Sequence, residues 1–192
     1  CDAAGGVLCF PDGRVQSYGG LWVPWRGRFA SIGFGSPTRE TVREAQIESR
    51  QNYLSGASMM IGRTFLGRAG EMREDYFLYG EEVEWCLRGL KKGMRLGFAP
   101  RGAVLHKQGT STGASADLRA SSRLSVYLGE RNRLLLTRDC FPVLLPVVVV
   151  SSLCVFTLRC ARSRAWRQFA YALQGWAAGL LNRRGAPPWV AS

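Results

Sequence analysis

No Cys-x-x-Cys pair and no compact cysteine framework occurs in this 192-residue chain, whose six cysteines stand at positions 1, 9, 86, 140, 154 and 160. That spacing argues against a zinc site or a disulfide scaffold. It favours buried or incidental thiols in a reducing compartment, by default the cytoplasm. Acidic residues are missing altogether after Asp139, whereas Arg159, Arg162, Arg164, Arg167, Arg183 and Arg184 all follow it. The chain starts at Cys1 with no charged-then-apolar leader, so no signal peptide is in view and a fragment of something longer is expected. No internal repeat is apparent. No helix-turn-helix, zinc-finger or aromatic-platform motif accompanies the net charge of +12, so nucleic acid is not an expected partner. Arginines interleaved with Trp and Phe, with no acid among them, suit the surface of an anionic bilayer instead.

What is present reads as a globular α/β chain, 46% hydrophobic and only 21% charged, which sets it apart from disordered sequences. Val7–Phe10 and Val15–Ser17 flank the turn signal Pro11-Asp12-Gly13 and predict two short strands. Glycines at 19, 20, 27, 33 and 35 predict an irregular loop, and 37–52 a surface loop with a short helix. Tyr53–Ile61 reads as a buried strand whose Gly56 lets something approach closely. Thr64–Ala69 reads as a short helix closed by Gly70. From Glu81 to Lys92, Val83, Cys86, Leu87 and Leu90 fall on one helical face, and Gly93 is the stop. Met94, Leu96 and Phe98 alternate as a strand ended by Pro100, and Ala103–His106 is a second short apolar run.

Beyond residue 140 the character changes, giving an expected division into 1–140 and 141–192. Phe141–Leu158 is nearly uncharged but holds Pro142 and Pro146, and its length is at the lower edge of what spans ~30 Å of hydrocarbon. Trp166, Phe169, Ala170, Leu173, Trp176, Ala177, Leu180 and Leu181 then line one face of an amphipathic helix. A spanning and an interfacial tail both fit, and the prolines favour the interfacial one.

Acids concentrate before the central helix: Glu71, Glu74, Asp75, Glu81, Glu82 and Glu84 are six of the chain's 14 acids within 14 residues. At a helix N-terminus the dipole favours their charged form, so one could serve as an ionised general base. Equally, they could cap the helix and pair with Arg88. His106, the lone histidine, could be a metal ligand, a base or a structural residue.

The run Leu54-Ser55-Gly56-Ala57-Ser58-Met59, then Gly70, then Phe77-Leu78-Tyr79-Gly80-Glu81-Glu82-Val83-Glu84-Trp85-Cys86-Leu87-Arg88 carries a resemblance. It continues through Gly93, Ala99-Pro100, Val104, His106, Gly109, Ser111 and Arg131-Asn132. In this order over about residues 5–135 the chain resembles glycosyltransferase family 2, in its bacterial rhamnosyltransferase-like branch. The resemblance implies the acceptor-side half of a GT-A-type α/β fold with a membrane-associated helical tail. The enzyme implied is inverting and metal-dependent. It moves sugar from a nucleotide-diphosphate donor to a saccharide or lipid-linked acceptor for cell-surface polysaccharide, at the cytoplasmic face of the bacterial inner membrane. Glu82 matches the catalytic base, although the family usually has Asp there, one methylene shorter; Glu81 matches the preceding acid and Glu84 the following one. Ser55, Gly56 and Ala57, with Glu84, Trp85 and Arg88, fall on the acceptor side, and His106 matches a ligand of the Mn²⁺ or Mg²⁺ ion. Relatives carry nucleotide-binding strands and an Asp-x-Asp motif that neither Asp2 nor Asp12 supplies, so the chain is expected to begin near the middle of the domain and to be inactive alone. A non-catalytic remnant and a basic membrane-surface binding protein are the alternative readings.

Overall fold

A computed structural model describes residues 1–36, 42–107, 113–115 and 117–190. Gly109 and Ser111, and most of the polar loop at 108–115, lie outside them. The chain forms two compact units: Cys1–Val23, Phe29–Arg73 and Glu82–Lys107 make the first, and Pro24–Arg28, Glu74–Glu81 and Gln108–Ser192 the second.

The first unit is built on β1 (Ala3–Cys9), whose small residues let neighbours crowd in. β2 (Val15–Ser17) and β5 (Met59–Ile61) both run antiparallel to it, one at each end: Leu8 faces Ser17, and Gly5 faces Met59. On its other side β6 (Leu96–Leu105) runs parallel along the whole of β1, so the sheet is mixed. Val7, Cys9, Val15, Tyr18, Ile32, Ile47 and Phe98 form the core beside it.

Pro100 does not end β6. The register steps from Gly6 opposite Ala99 to Val7 opposite Ala103, so residues 100–102 bulge out and pairing resumes. A proline is tolerated at a bulge because no ladder hydrogen bond is asked of its nitrogen. The two runs read separately in the sequence are therefore one interrupted strand. The glycine-rich stretch is likewise more regular than expected, since β3 (Gly19–Val23) and β4 (Arg28–Ile32) form a hairpin. Trp22 anchors it, fully buried 4.7 Å from the ring of Phe29, and Asn52 bonds both its backbone groups. Glycines 19 and 20 mark where the side chains of Gln51 and Tyr53 lie against the backbone. Conversely, Tyr53–Ile61 is mostly not strand: Tyr53 makes an isolated bridge to Gly20, a turn follows, and only Met59–Ile61 joins the sheet.

Three helices flank these strands in sequence: α1 (Glu44–Glu48), α2 (Arg63–Ala69) and α3 (Glu81–Lys91). α2 stops at Gly70, whose φ of 76° is the left-handed conformation a side chain resists. α3 follows the expected bounds within one residue, although its buried positions are Val83, Glu84, Trp85, Cys86 and Gly89. Its first residue, Glu81, belongs to the second unit.

In the second unit α4 (Arg123–Cys140) is capped by Ser122, whose hydroxyl accepts from the Ser125 amide. It packs with α5 (Leu145–Arg162) and α6 (Trp166–Leu180). The α6 face against α4 is not the large apolar stripe read from periodicity. It is Gln168, Ala172, Gly175, Ala178 and Gly179, because a side chain at Gly175 would collide with the Tyr127 carbonyl and one at Gly179 with that of Arg131. Backbone proximity selects small residues there, leaving Trp166, Leu173, Leu180 and Leu181 exposed. α5 buries Val148, Ser152, Phe156 and Cys160 and exposes Val147, Val150, Val155 and Leu158. Pro142–Arg162, with mean hydropathy 2.2, is long and apolar enough to cross a membrane, by length and composition. All six cysteines are free thiols.

Candidate active site

The loop that leads into α3 is held in an unfavourable conformation by two adjacent residues of α4. Phe77 and Tyr79 both adopt φ 69° and Gly80 φ 95°, and the first two are bulky residues that avoid this region. Asn132, fully buried, points its amide nitrogen at the loop and donates to the carbonyls of Tyr76 (3.1 Å), Leu78 (2.6 Å) and Tyr79 (2.7 Å). Its orientation is fixed because its oxygen accepts from Arg131 Nε at 2.8 Å. Arg131, 1% exposed, also donates to the carbonyls of Tyr76 and Gly185, each at 2.6 Å. The clamp thus trades buried side-chain donors for the three left-handed residues that precede α3.

Glu81 opens that helix half-buried, with Oε2 shielded from solvent and without a hydrogen-bond partner among the described residues. Burial pushes its pKa above the ordinary carboxyl value, only partly offset by its own backbone amide. The dipole argument for first-turn acids therefore loses to desolvation at this residue.

In the first unit Glu82 lies near Tyr53 and Cys86. Burial chiefly raises the pKa of both, to about 12 for Cys86, and the negative charge of Glu82 adds to each shift. Both groups stay protonated at neutral pH and so put no second anion beside Glu82. The Leu54 amide donates to Cys86 Sγ at 3.4 Å, tying the segment that continues into Ser55, Gly56 and Ala57 to α3 one turn beyond Glu82. Gly56 and Ala57 are exposed, and a side chain at Gly56 would meet nothing within 4 Å. Among the described residues none makes the close approach expected at that glycine, and the space before it is open.

Glu84, Trp85 and Arg88 join α3 to the segment at the end of α2. Arg88 holds both oxygens of buried Glu84 at 2.9 and 3.0 Å and donates to the carbonyls of Ala69 and Glu71. The Trp85 indole donates to the Gly70 carbonyl at 2.7 Å and packs edge-on against Phe65. These three side chains bind α3 to the end of α2, and their polar atoms are engaged within the unit. The pairing of an early helix acid with Arg88 is realised by Glu84.

His106 follows β6 directly, its amide bonded to the Cys9 carbonyl. Its Nδ1 is 3.0 Å from Oε1 of the buried Gln16. In the tautomer that donates from Nδ1 to this oxygen, Nε2 keeps its lone pair and could bind a metal. Among the described residues no three His, Cys, Asp or Glu side chains group as a metal centre would need. His106 alone offers one ligand.

The sequence pointed to Arg131 and Asn132 without giving them a role. The available signal was a polar pair inside the apolar pattern of what proves to be α4. Nothing had singled out Tyr53, which feels the charge of Glu82, or Gln16, which contacts His106.

No family profile matches the chain. It is similar to a low-salt glycan biosynthesis hexosyltransferase of Haloferax volcanii, 26% identical over 141 residues that cover 71% of this chain and 44% of that protein. It is also similar to an N-acetylglucosaminyl-diphospho-decaprenol L-rhamnosyltransferase of Mycobacterium tuberculosis, 30% identical over 97 residues, 48% of this chain and 32% of that one. The chain thus spans less than half the length of the curated relatives it matches.

Proposed function

We propose that this chain is the acceptor-side part of a GT-A-type glycosyltransferase of family 2 that serves cell-surface glycan synthesis. The observation that carries the reading lies in the first unit. Glu82 stands at the head of α3, flanked by protonated Tyr53 and Cys86, and an open Ser55–Ala57 segment is tied to the same helix one turn on. The similarity to two named transferases of glycans supports it.

In this reading an acceptor hydroxyl gives its proton to the Glu82 carboxylate. Its oxygen then attacks the anomeric carbon of the donor sugar while the bond to the nucleoside diphosphate breaks, so the configuration inverts. Glu84 and Arg88 keep α3 in place, and Trp85 fixes its distance from Gly70. A Mn²⁺ or Mg²⁺ ion, when bound, would neutralise the departing diphosphate, and Nε2 of His106 is the ligand this chain offers it. The acid-free, arginine-rich helices with exposed apolar faces support a seat on an anionic membrane, at the cytoplasmic face of a bacterial inner membrane.

The test is a sugar-nucleotide screen of the protein as encoded in its gene, with the anomeric configuration of the product read by NMR. Inversion is expected. A retained configuration would remove Glu82 as a base acting in a single displacement.

A further inference from the structure

In the second unit a cavity of about 580 Å³ opens between α4, α6 and the segment after it, lined among others by Tyr127, Arg131, Leu181, Arg183, Arg184 and Trp189. We propose that this crevice seats the phosphate headgroup of an anionic phospholipid of the bilayer on which the unit rests. The proposal rests on the membrane part of the reading above and is independent of the transfer chemistry.

Charge is the first argument. Arg131 spends its hydrogen bonds on the carbonyls of Tyr76 and Gly185 and the amide oxygen of Asn132, none of them an anion. Arg184 is paired with Asp139 and Asp75. Arg123 stacks 3.8 Å from the centre of the Trp189 ring, which itself stands edge-on to Tyr127. Arg183 is exposed, and its guanidinium has no hydrogen-bond or ion-pair partner among the described residues. The three arginines that line the crevice are thus set against two aspartates, and no further acid follows Asp139 in the chain. A phosphate oxygen is the ligand such guanidinium groups recognise.

The rim decides the class of molecule that carries the phosphate. Leu181 lines the crevice and is 64% exposed, and it continues the exposed α6 residues Leu180, Leu173 and Trp166. A free nucleotide or an acidic peptide would leave that apolar surface in water. A phospholipid covers it, with its headgroup among the arginines and its chains along the leucines.

Sedimentation of the whole chain with phosphatidylcholine vesicles, with and without phosphatidylglycerol, separates the possibilities. Arg183→Ala removes the unpaired cation without touching the fold, as its thermal unfolding will show. Arg162→Ala makes the same charge change at the exposed end of α5. Phosphatidylglycerol should strengthen binding, Arg183→Ala should undo it by about tenfold, and Arg162→Ala by no more than about fivefold, the effect of one cation near an anionic surface. Neither variant should change binding to pure phosphatidylcholine. Equal losses in both variants, or indifference to phosphatidylglycerol, would overturn the site and leave a purely apolar or smeared electrostatic attachment. Displacement of the protein from vesicles by inorganic phosphate at the same phosphate concentration would overturn the lipid as occupant. Failure to bind either vesicle would overturn the membrane reading as well, while a transfer assay would remain unaffected by any of these results.

Discussion

Replacing Asn132 by Ala removes one side chain and unfastens the loop before α3. The amide nitrogen serves three carbonyls, but Tyr76 keeps Arg131 as a donor, so the carbonyls of Leu78 and Tyr79 and the buried Nε of Arg131 lose their partners. At about 1 kcal/mol for each group left unpaired, the low end for positions that are only partly buried, the loss is about 3 kcal/mol. The loop has a way to recover some of this. Phe77 and Tyr79 each hold a left-handed conformation costing about 1–3 kcal/mol, and without the clamp they can relax. Relaxation returns stability but moves the start of α3. The variant should therefore lose up to ~3 kcal/mol in urea unfolding. Asn132→Asp should be no better, since a carboxylate would face carbonyl oxygens. A stability change under about 0.5 kcal/mol would refute the clamp as what holds the loop.

Glu81→Gln should stabilise the protein at neutral pH and have little effect in acid. Burial raises the folded-state pKa of Glu81, so the folded chain binds more protons than the unfolded one between the ordinary carboxyl value and the raised one. Stability contributed at this site is present at low pH and lost as pH rises through that window, and the Gln variant should lack that slope in urea titrations; an unchanged slope would contradict it. Gly175→Ala puts a methyl group into the Tyr127 carbonyl and should cost about 1–3 kcal/mol as α6 lifts from α4, read by thermal unfolding. Trp85→Phe removes the bond to the Gly70 carbonyl but keeps the contact with Phe65, for a loss of about 1 kcal/mol in the same measurement.

α3 was legible because its apolar period, its opening acids and the closing Gly93 all agree on one helix. The β1–β2 turn was legible for a similar reason, since Pro11, Asp12 and Gly13 are local signals for a local structure. What local pattern misread was decided by distant neighbours. Pro100 looks like a stop until a parallel partner is found that tolerates a bulge opposite Gly6. The glycines near Trp22 look like a loop until Gln51 and Tyr53 are seen lying over them. The apolar stripe of α6 was legible by its period, but the small residues that meet α4 were not, because the Tyr127 and Arg131 carbonyls that exclude side chains there lie far along the chain. At the candidate site the acids and His106 stood out by type. Asn132 did not, because the carbonyls it holds are 53 to 56 residues away. Tyr53 and Gln16 escaped notice for the same reason, for Glu82 and His106 lie far along the chain from them.

The most direct measurement is acceptor-dependent release of nucleoside diphosphate by the protein as encoded in its gene, compared for wild type, Glu82→Gln and Glu82→Asp. The account predicts that Gln lowers turnover by about 10²–10⁴-fold with donor binding unchanged, and that Asp, the residue usual at this position in the resembling family, keeps activity well above Gln. Turnover by Glu82→Gln close to wild type would contradict the assignment of Glu82 as the base.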